Sequence, residues 1–192
     1  MKESLNEFLK PTYFCESDDP EIVRLARKIV GKKKGKAAAV ALFNWVRDNI
    51  KYDIAYIIGA KGVLKRGFGD CVDKTNLFVA LCRASGISAR YLVFTCNLKA
   101  PRKDLASVKV PHCAAEIFVN NKWVICDPGF EKVVAKVNQP STFGRPTWIR
   151  WWNVNRSKSM PLFIPLAFIL FLIFSKDMKK VKGIVDKIRK DQ

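Results

Sequence analysis

The spacing of hydrophobic positions predicts three helices in the first half of the chain. Apolar residues recur every three or four positions in three stretches, residues 22–30, 37–50 and 71–85. The first stretch has a typical helix start, with Asp19 at the cap and Pro20 at the first helical position. Gly31 and Gly86 follow the first and third stretches as stop signals. The intervening residues 54–70 contain several glycines and are predicted to be irregular.

Alternating and β-branched patterns predict strands in the second half. The candidates are residues 87–96, 112–119 and 122–126, with weaker ones at 133–137 and 147–154. Asn120 and Asn121 tolerate the positive φ of a type I′ turn, so they predict a two-residue hairpin. In that register Ala114 faces Asp127, and His112 is the diagonal neighbour of Asp127 on the same face. Helices followed by an antiparallel sheet form an α+β pattern.

Charge and cysteine content narrow the possible partners. The chain has 35 Lys and Arg against 17 Asp and Glu, a net charge of +18. This excess favours a polyanionic neighbour such as an anionic membrane surface, although a lysine-rich solvated surface is an alternative. No nucleic-acid-binding motif accompanies the charge, so specific nucleic-acid binding is not predicted. Six cysteines without a CxxC pair, and a single histidine, predict neither a disulfide framework nor a metal site. We therefore expect a reducing, cytoplasmic environment and no cofactor.

The C-terminal region, residues 146–192, differs in composition from the single catalytic domain predicted for residues 1–145. Its charge-free run 160–175 follows tryptophans and precedes lysines, as at a membrane interface. The run is slightly shorter than the roughly 17–25 residues of a spanning helix. It is predicted to be a membrane anchor, with a buried core helix as the alternative. The basic tail behind it suits an amphipathic helix on an anionic surface, with a solvated helix as the alternative. The N-terminus lacks the apolar segment of a signal peptide.

Three residues have the local contexts that a thiol-based acyl-transfer site requires. At the first turn of a helix, Cys71 lies near unpaired N–H groups and the positive end of the dipole, which both favour a thiolate. The glycines before it are expected to keep the sulfur accessible. The hairpin places Asp127 beside His112, where a carboxylate on Nδ1–H would leave Nε2 to accept the thiol proton. Each residue alone has a structural alternative: a core cysteine, a strand histidine and a turn aspartate.

The segments around these residues resemble the transglutaminase-like superfamily, cysteine enzymes with a papain-like core. The matching blocks are residues 45–53, 69–92 (GDCVDKTNLFVALCRASGISARYL) and 112–128 (HCAAEIFVNNKWVICDP). The resemblance implies helices packed on an antiparallel sheet, with the nucleophile at a helix N-terminus. It assigns Cys71 as nucleophile, His112 as general base and Asp127 as the residue that orients His112. The backbone N–H of Cys71 is one candidate oxyanion donor, and the second is unassigned.

The resemblance leaves the reaction open between related chemistries. The leading hypothesis is a cysteine hydrolase that cleaves a peptide, isopeptide or amide bond of a peptide or protein substrate through an acyl-enzyme on Cys71. One alternative is amine transfer to protein glutamine, as in a true transglutaminase. A second alternative, from a different class, is a catalytically inactive, membrane-associated interaction module.

Overall fold

The helices of the protein form one group that precedes most of the sheet in the chain. The computed structural model describes residues 4–53, 57–98, 108–129 and 151–160, and positions 183 and 186. After a short 3-10 helix at Leu5–Leu9, its helices are α1 (Pro20–Val30), α2 (Gly35–Asn49), α3 (Ala60–Arg66) and α4 (Cys71–Ala84). The three helices predicted from the sequence are thus present, with ends within about two residues of the predicted positions.

Two sheets accompany the helices. The strands are β1 (Lys51–Tyr52), β2 (Phe68–Gly69), β3 (Ala89–Leu98), β4 (Val108–Val119), β5 (Lys122–Cys126) and β6 (Trp151–Ser157). Strands β1 and β2 form a short parallel pair, and the other four form an antiparallel sheet in the order β5-β4-β3-β6. The α+β class is confirmed.

The prediction of an irregular stretch at 54–70 was wrong for residues 60–69, which form a short helix and a short strand, while residues 54–56 lie outside the described residues. Gly59 precedes helix α3, and Gly67 ends it in the left-handed conformation with φ of 75°. The backbone of Lys51 then bonds to the carbonyl of Gly67, which pairs β1 with β2. The glycines mark the ends of short elements here, and seven residues are too few for hydrophobic periodicity to reveal a helix.

Helix α4 lies at the centre of the core and is buried on every face. Even its polar first turns are fully buried, because each polar side chain bonds to a neighbouring segment. The amino group of Lys74 donates to the carbonyl oxygen of Arg47 at the end of α2 (3.2 Å). The amide of Asn76 donates to the carbonyl of Ile58 (3.1 Å). These bonds fix the start of α4, and therefore Cys71, relative to the surrounding chain.

The predicted hairpin is confirmed in turn and register. Asn120 and Asn121 have φ of 52° and 59°, as a type I′ turn requires. Val119 pairs with Lys122, and the pairing continues in steps of one residue to Ala115 opposite Cys126. Strand β4 begins four residues before the predicted strand, at Val108.

The last described strand joins the main sheet. Strand β6 pairs with the outer side of β3, where Tyr91 faces Ser157. The predicted strand at 133–137, the domain boundary at 145 and most of the apolar run 160–175 lie outside the described residues, as does nearly all of the basic tail. In the part of the chain that the structure describes, no helix has the length and hydrophobicity needed to cross a membrane.

Candidate active site

Cys71 is the first residue of helix α4, as predicted, and the residue before it caps the helix. The Asp70 carboxylate accepts hydrogen bonds from the backbone N–H groups of Val72 (2.8 Å) and Asp73 (3.2 Å). This is the usual N-cap arrangement, which engages the second and third helical N–H groups. The cap does not engage the N–H of Cys71, the group predicted as one oxyanion donor.

His112 and Asp127 meet on one face of the β4–β5 hairpin, as its register predicted. The ring Nε2 of His112 lies 2.7 Å from Oδ2 of Asp127, and both side chains are buried. The other carboxylate oxygen, Oδ1, accepts from the backbone N–H of Gly129 at 2.9 Å. Two donors on opposite sides therefore hold the Asp127 carboxylate in place.

The nitrogen assignment predicted from the sequence was wrong. We expected Asp127 at Nδ1 and the thiol at Nε2, but Asp127 contacts Nε2. Cys71 and His112 line the same pocket, and because Asp127 occupies Nε2, Nδ1 is the ring nitrogen left for the thiol. The reason is reach: Nε2 is the ring nitrogen farther from the backbone, so it spans the gap to the neighbouring strand. The hairpin register predicted from the sequence determines the face of the sheet on which His112 lies, but not the orientation of its ring.

A direct contact between α4 and β4 brings Cys71 to His112. One turn beyond Cys71, the hydroxyl of Thr75 donates to the carbonyl of Cys113 (3.3 Å), the residue after His112. Thr75 is fully buried. On the other side of the histidine, the Phe94 ring packs edge-on against the imidazole, with centroids 5.4 Å apart. Phe94 pairs with His112 across β3 and β4. The sequence did not reveal this contact, because the partner of β3 was unknown.

The electrostatics of the pair differ from the sequence prediction. Burial raises the pKa of the Cys71 thiol to about 11, and His112 opposes this only in part. Cys71 is 5% exposed, so the predicted accessible, readily ionised thiol was wrong. Burial alone would lower the pKa of His112, but Asp127 and Cys71 raise it well above 6.5. Asp127 therefore stabilises the imidazolium form of His112, whereas burial disfavours the thiolate form of Cys71.

Two further residues near the site escaped the sequence analysis. A Cβ atom on Gly129 would lie 2.9 Å from Oδ1 of Asp127 and 3.4 Å from Cε1 of His112, so only glycine fits without a shift. Its position directly after Asp127-Pro128 was the available signal. Met160, 3% exposed, lines the pocket that contains Cys71 and His112. Its place at the start of an apolar run gave no indication of this. Among the described residues, no cluster of histidine, cysteine and carboxylate side chains could hold a metal ion.

Comparison with known protein families finds a match. The model of the transglutaminase-like superfamily matches residues 23–128, more than half of the chain, and the match includes all three predicted site residues. Curated protein sequences gave no match.

Two solved structures share the fold. A candidate cysteine protease from Cytophaga hutchinsonii is 23% identical, with a TM-score of 0.56 over 84% of this chain and 58% of that one. The periplasmic domain of TgpA from Pseudomonas aeruginosa, bound to ethylmercury, is 16% identical, with a TM-score of 0.53 over 72% of this chain and 53% of that one. The chain therefore spans somewhat more than half the length of either structure.

Proposed function

We propose that this chain, which belongs to the transglutaminase-like superfamily, is a cysteine-dependent hydrolase that cleaves a peptide, isopeptide or amide bond. The observation that carries the proposal is the buried contact of His112 Nε2 with Asp127 Oδ2 at 2.7 Å, in a histidine that lines the same pocket as Cys71. This order of nucleophile, base and orienting carboxylate is the arrangement that activates a weak nucleophile.

Acylation begins from the state in which the sulfur of Cys71 and Nδ1 of His112 share a single proton. The sulfur attacks the substrate carbonyl, and the S–C bond forms as the carbonyl π electrons move to oxygen. The proton of the thiol resides on Nδ1 of His112 at this stage. When the tetrahedral intermediate collapses, the C–N bond breaks and His112 gives its proton to the departing amine. The product is a thioester on Cys71.

Deacylation reverses these roles with water as the nucleophile. His112 accepts a proton from water as the oxygen attacks the thioester carbonyl. Collapse breaks the C–S bond, and the sulfur leaves as the thiolate or recovers the proton from His112. Throughout the cycle Asp127 stabilises the imidazolium and keeps Nδ1 directed at the sulfur, since its own position is fixed by Gly129.

The start of α4 supplies one donor for the oxyanion. The backbone N–H of Cys71 is adjacent to the attacking sulfur and is not engaged by the Asp70 cap. Donors placed where negative charge develops are typically worth about 2.7–4 kcal/mol each in the transition state. We propose this N–H for that role.

The proposal is tested by trapping the acyl-enzyme. The full chain is incubated with a library of peptide and isopeptide substrates, and the Cys71 peptide is searched for an acyl adduct by mass spectrometry. Trypsin releases residues 67–74 (GFGDCVDK), which contain no other cysteine. We expect an adduct and release of amine in the wild type and neither in Cys71→Ala. Cys82→Ala is the matched control, because Cys82 lies on the same helix, is fully buried and is remote from the site.

A labelled primary amine in the same reaction separates hydrolysis from amine transfer. Release of the free acid with no incorporation of label supports the hydrolase. Incorporation of label in preference to hydrolysis would replace it by the transferase. Absence of any adduct across the library, together with unchanged iodoacetamide labelling of Cys71 in His112→Ala, would refute the enzymatic proposal.

A further inference from the structure

The pocket at Cys71 is small, and most of its walls are apolar. Its volume is about 40 Å³, and it is lined by Cys71 and His112 together with Val72, Val93, Pro111, Cys113 and Met160. A cavity of this volume has room for about three water-sized groups. Apart from His112, none of these lining side chains can carry the charge of an acid or base at neutral pH. The pocket therefore fits a narrow, uncharged group.

Met160 is the wall residue that comes from farthest along the chain. It follows β6, whose pairing with β3 places Ser157 opposite Tyr91. The connection between them is held by a turn in which the hydroxyl of Ser157 donates to the carbonyl of Ser159 (2.7 Å). Arg83 further anchors it by donating to the carbonyl of Lys158 (2.6 Å). These bonds hold the backbone just before Met160 in place.

Methionine is suited to a movable wall. Its unbranched side chain has three rotatable bonds and adapts to neighbouring shapes more easily than Val93 or Pro111 on the sheet. The other walls lie on α4 and β4, which carry the nucleophile and base, and on β3, which pairs with β4, so they cannot withdraw without disturbing the site. Among the described walls, Met160 is the one whose side chain can change the pocket width independently.

We propose that Met160 determines which acyl groups reach Cys71, by closing the pocket to all but narrow, unbranched and uncharged acyl arms. This inference rests on the proposed function, because it assigns the acyl side of the substrate. It places aromatic and β-branched acyl groups outside the substrate class. It also means that shortening residue 160 widens the range of accepted groups while the Cys71–His112–Asp127 geometry stays intact.

Two alkylating reagents with the same reactive carbon test the proposal. Iodoacetamide is narrow, and iodoacetanilide adds a phenyl ring. Each rate constant at Cys71 is measured by mass spectrometry of the 67–74 peptide and divided by the rate constant with free cysteine. In the wild type we expect a preference for the narrow reagent of about 10- to 200-fold, as in size selection by apolar pockets. Met160→Ala should reduce that preference at least about tenfold, whereas Met160→Leu, of similar volume, should preserve it within about twofold.

An unchanged preference in a folded Met160→Ala protein would overturn the proposal, as would a wild type that shows no preference. If Met160→Ala does not fold, Met160→Val takes its place in the same measurement. A smaller preference for the narrow reagent supports the proposed role of Met160, and an unchanged preference rejects it. The result is separable from the proposed function, because alkylation requires a reactive thiol and no turnover. Loss of the enzymatic proposal would appear as the absence of any acyl adduct together with equal iodoacetamide rates in the wild type and His112→Ala, whatever residue 160 does.

Discussion

Replacement of Asp127 by asparagine tests the centre of the site with little change in shape. The carboxylate accepts from two donors, Nε2 of His112 at 2.7 Å and the backbone N–H of Gly129 at 2.9 Å. An amide has one acceptor and one donor end, so it cannot accept from both sides. It also removes the charge opposite a buried imidazolium. Asp127→Asn should therefore weaken both the orientation and the protonation of His112.

The magnitude follows from the burial of the pair. The side chains of His112 and Asp127 are 3% and 1% exposed, so solvent cannot replace the lost partner. Removal of one member of a buried ion pair costs about 3–5 kcal/mol. If that cost applies to the imidazolium state that the reaction requires, the rate falls about 10²- to 10⁴-fold, at 1.36 kcal/mol per factor of ten. Both alkylation of Cys71 and turnover should decrease.

The pH dependence of stability provides a second readout. Because the pKa of His112 is raised in the folded state, its stabilisation is complete below the unfolded value of about 6.5. It is lost as pH rises through the higher folded value. Asp127→Asn should reduce this alkaline loss, as measured by urea unfolding at several pH values.

The matched control is Glu116→Gln, another buried carboxylate on the same hairpin. Glu116 pairs with Arg90 at 2.8 Å and Arg156 at 3.0 Å, away from the thiol. It should lose stability while the rate of Cys71 alkylation by iodoacetamide stays within about threefold of the wild type, since it contacts no reacting group. Wild-type alkylation rates in a folded Asp127→Asn protein would refute the role assigned to Asp127.

Three further predictions concern the neighbours of the site. In Gly129→Ala the new Cβ would lie 2.9 Å from Oδ1 of Asp127, so the Asp127 carboxylate would have to move. Because small displacements near reacting groups are costly, kcat/KM should fall by about tenfold or more, and wild-type kinetics would contradict this. Burial raises the pKa of Asp70 to about 8, so the stabilisation from Asp70 is complete below the unfolded value of about 3.9 and is lost as pH rises through about 8. Asp70→Asn should retain the cap and reduce this loss, as measured by thermal unfolding at several pH values. An equally steep loss in the variant would contradict the prediction. Burial also raises the pKa of Cys71 to about 11, so the rate of iodoacetamide labelling should increase steadily as pH rises above neutral. A rate that already reaches its maximum below about pH 6 would show a preformed thiolate and contradict this prediction.

The local parts of the site were predictable from sequence because each rests on a short-range rule. Asp19-Pro20 begins α1, and Asn120-Asn121 determines the hairpin register that brings His112 to Asp127. These outcomes depend on neighbouring residues and on the two-residue period of a strand. Contacts between distant segments were not predictable. Phe94 against His112 and Met160 over Cys71 both depend on how β3 pairs with β4 and β6, and no local pattern encodes that pairing.

Cys71 shows why the position of a residue can be predicted correctly while its pKa is predicted wrongly. A helix N-terminus stabilises a negative group by about 0.3–1 kcal/mol, and by up to about 2 kcal/mol when partly buried. The rise of the thiol pKa from 9.0 to about 11 corresponds to about 3 kcal/mol in the opposite direction. Desolvation therefore outweighs the helix, and the pocket that encloses the thiol is lined by residues distant in the chain, among them Val93 and Met160. Under the proposed role of Met160, access and activation are linked: a movement of Met160 that admits substrate also admits water to the sulfur, which lowers the cost of forming the thiolate. Substrate entry and nucleophile activation would then be two consequences of the same displacement.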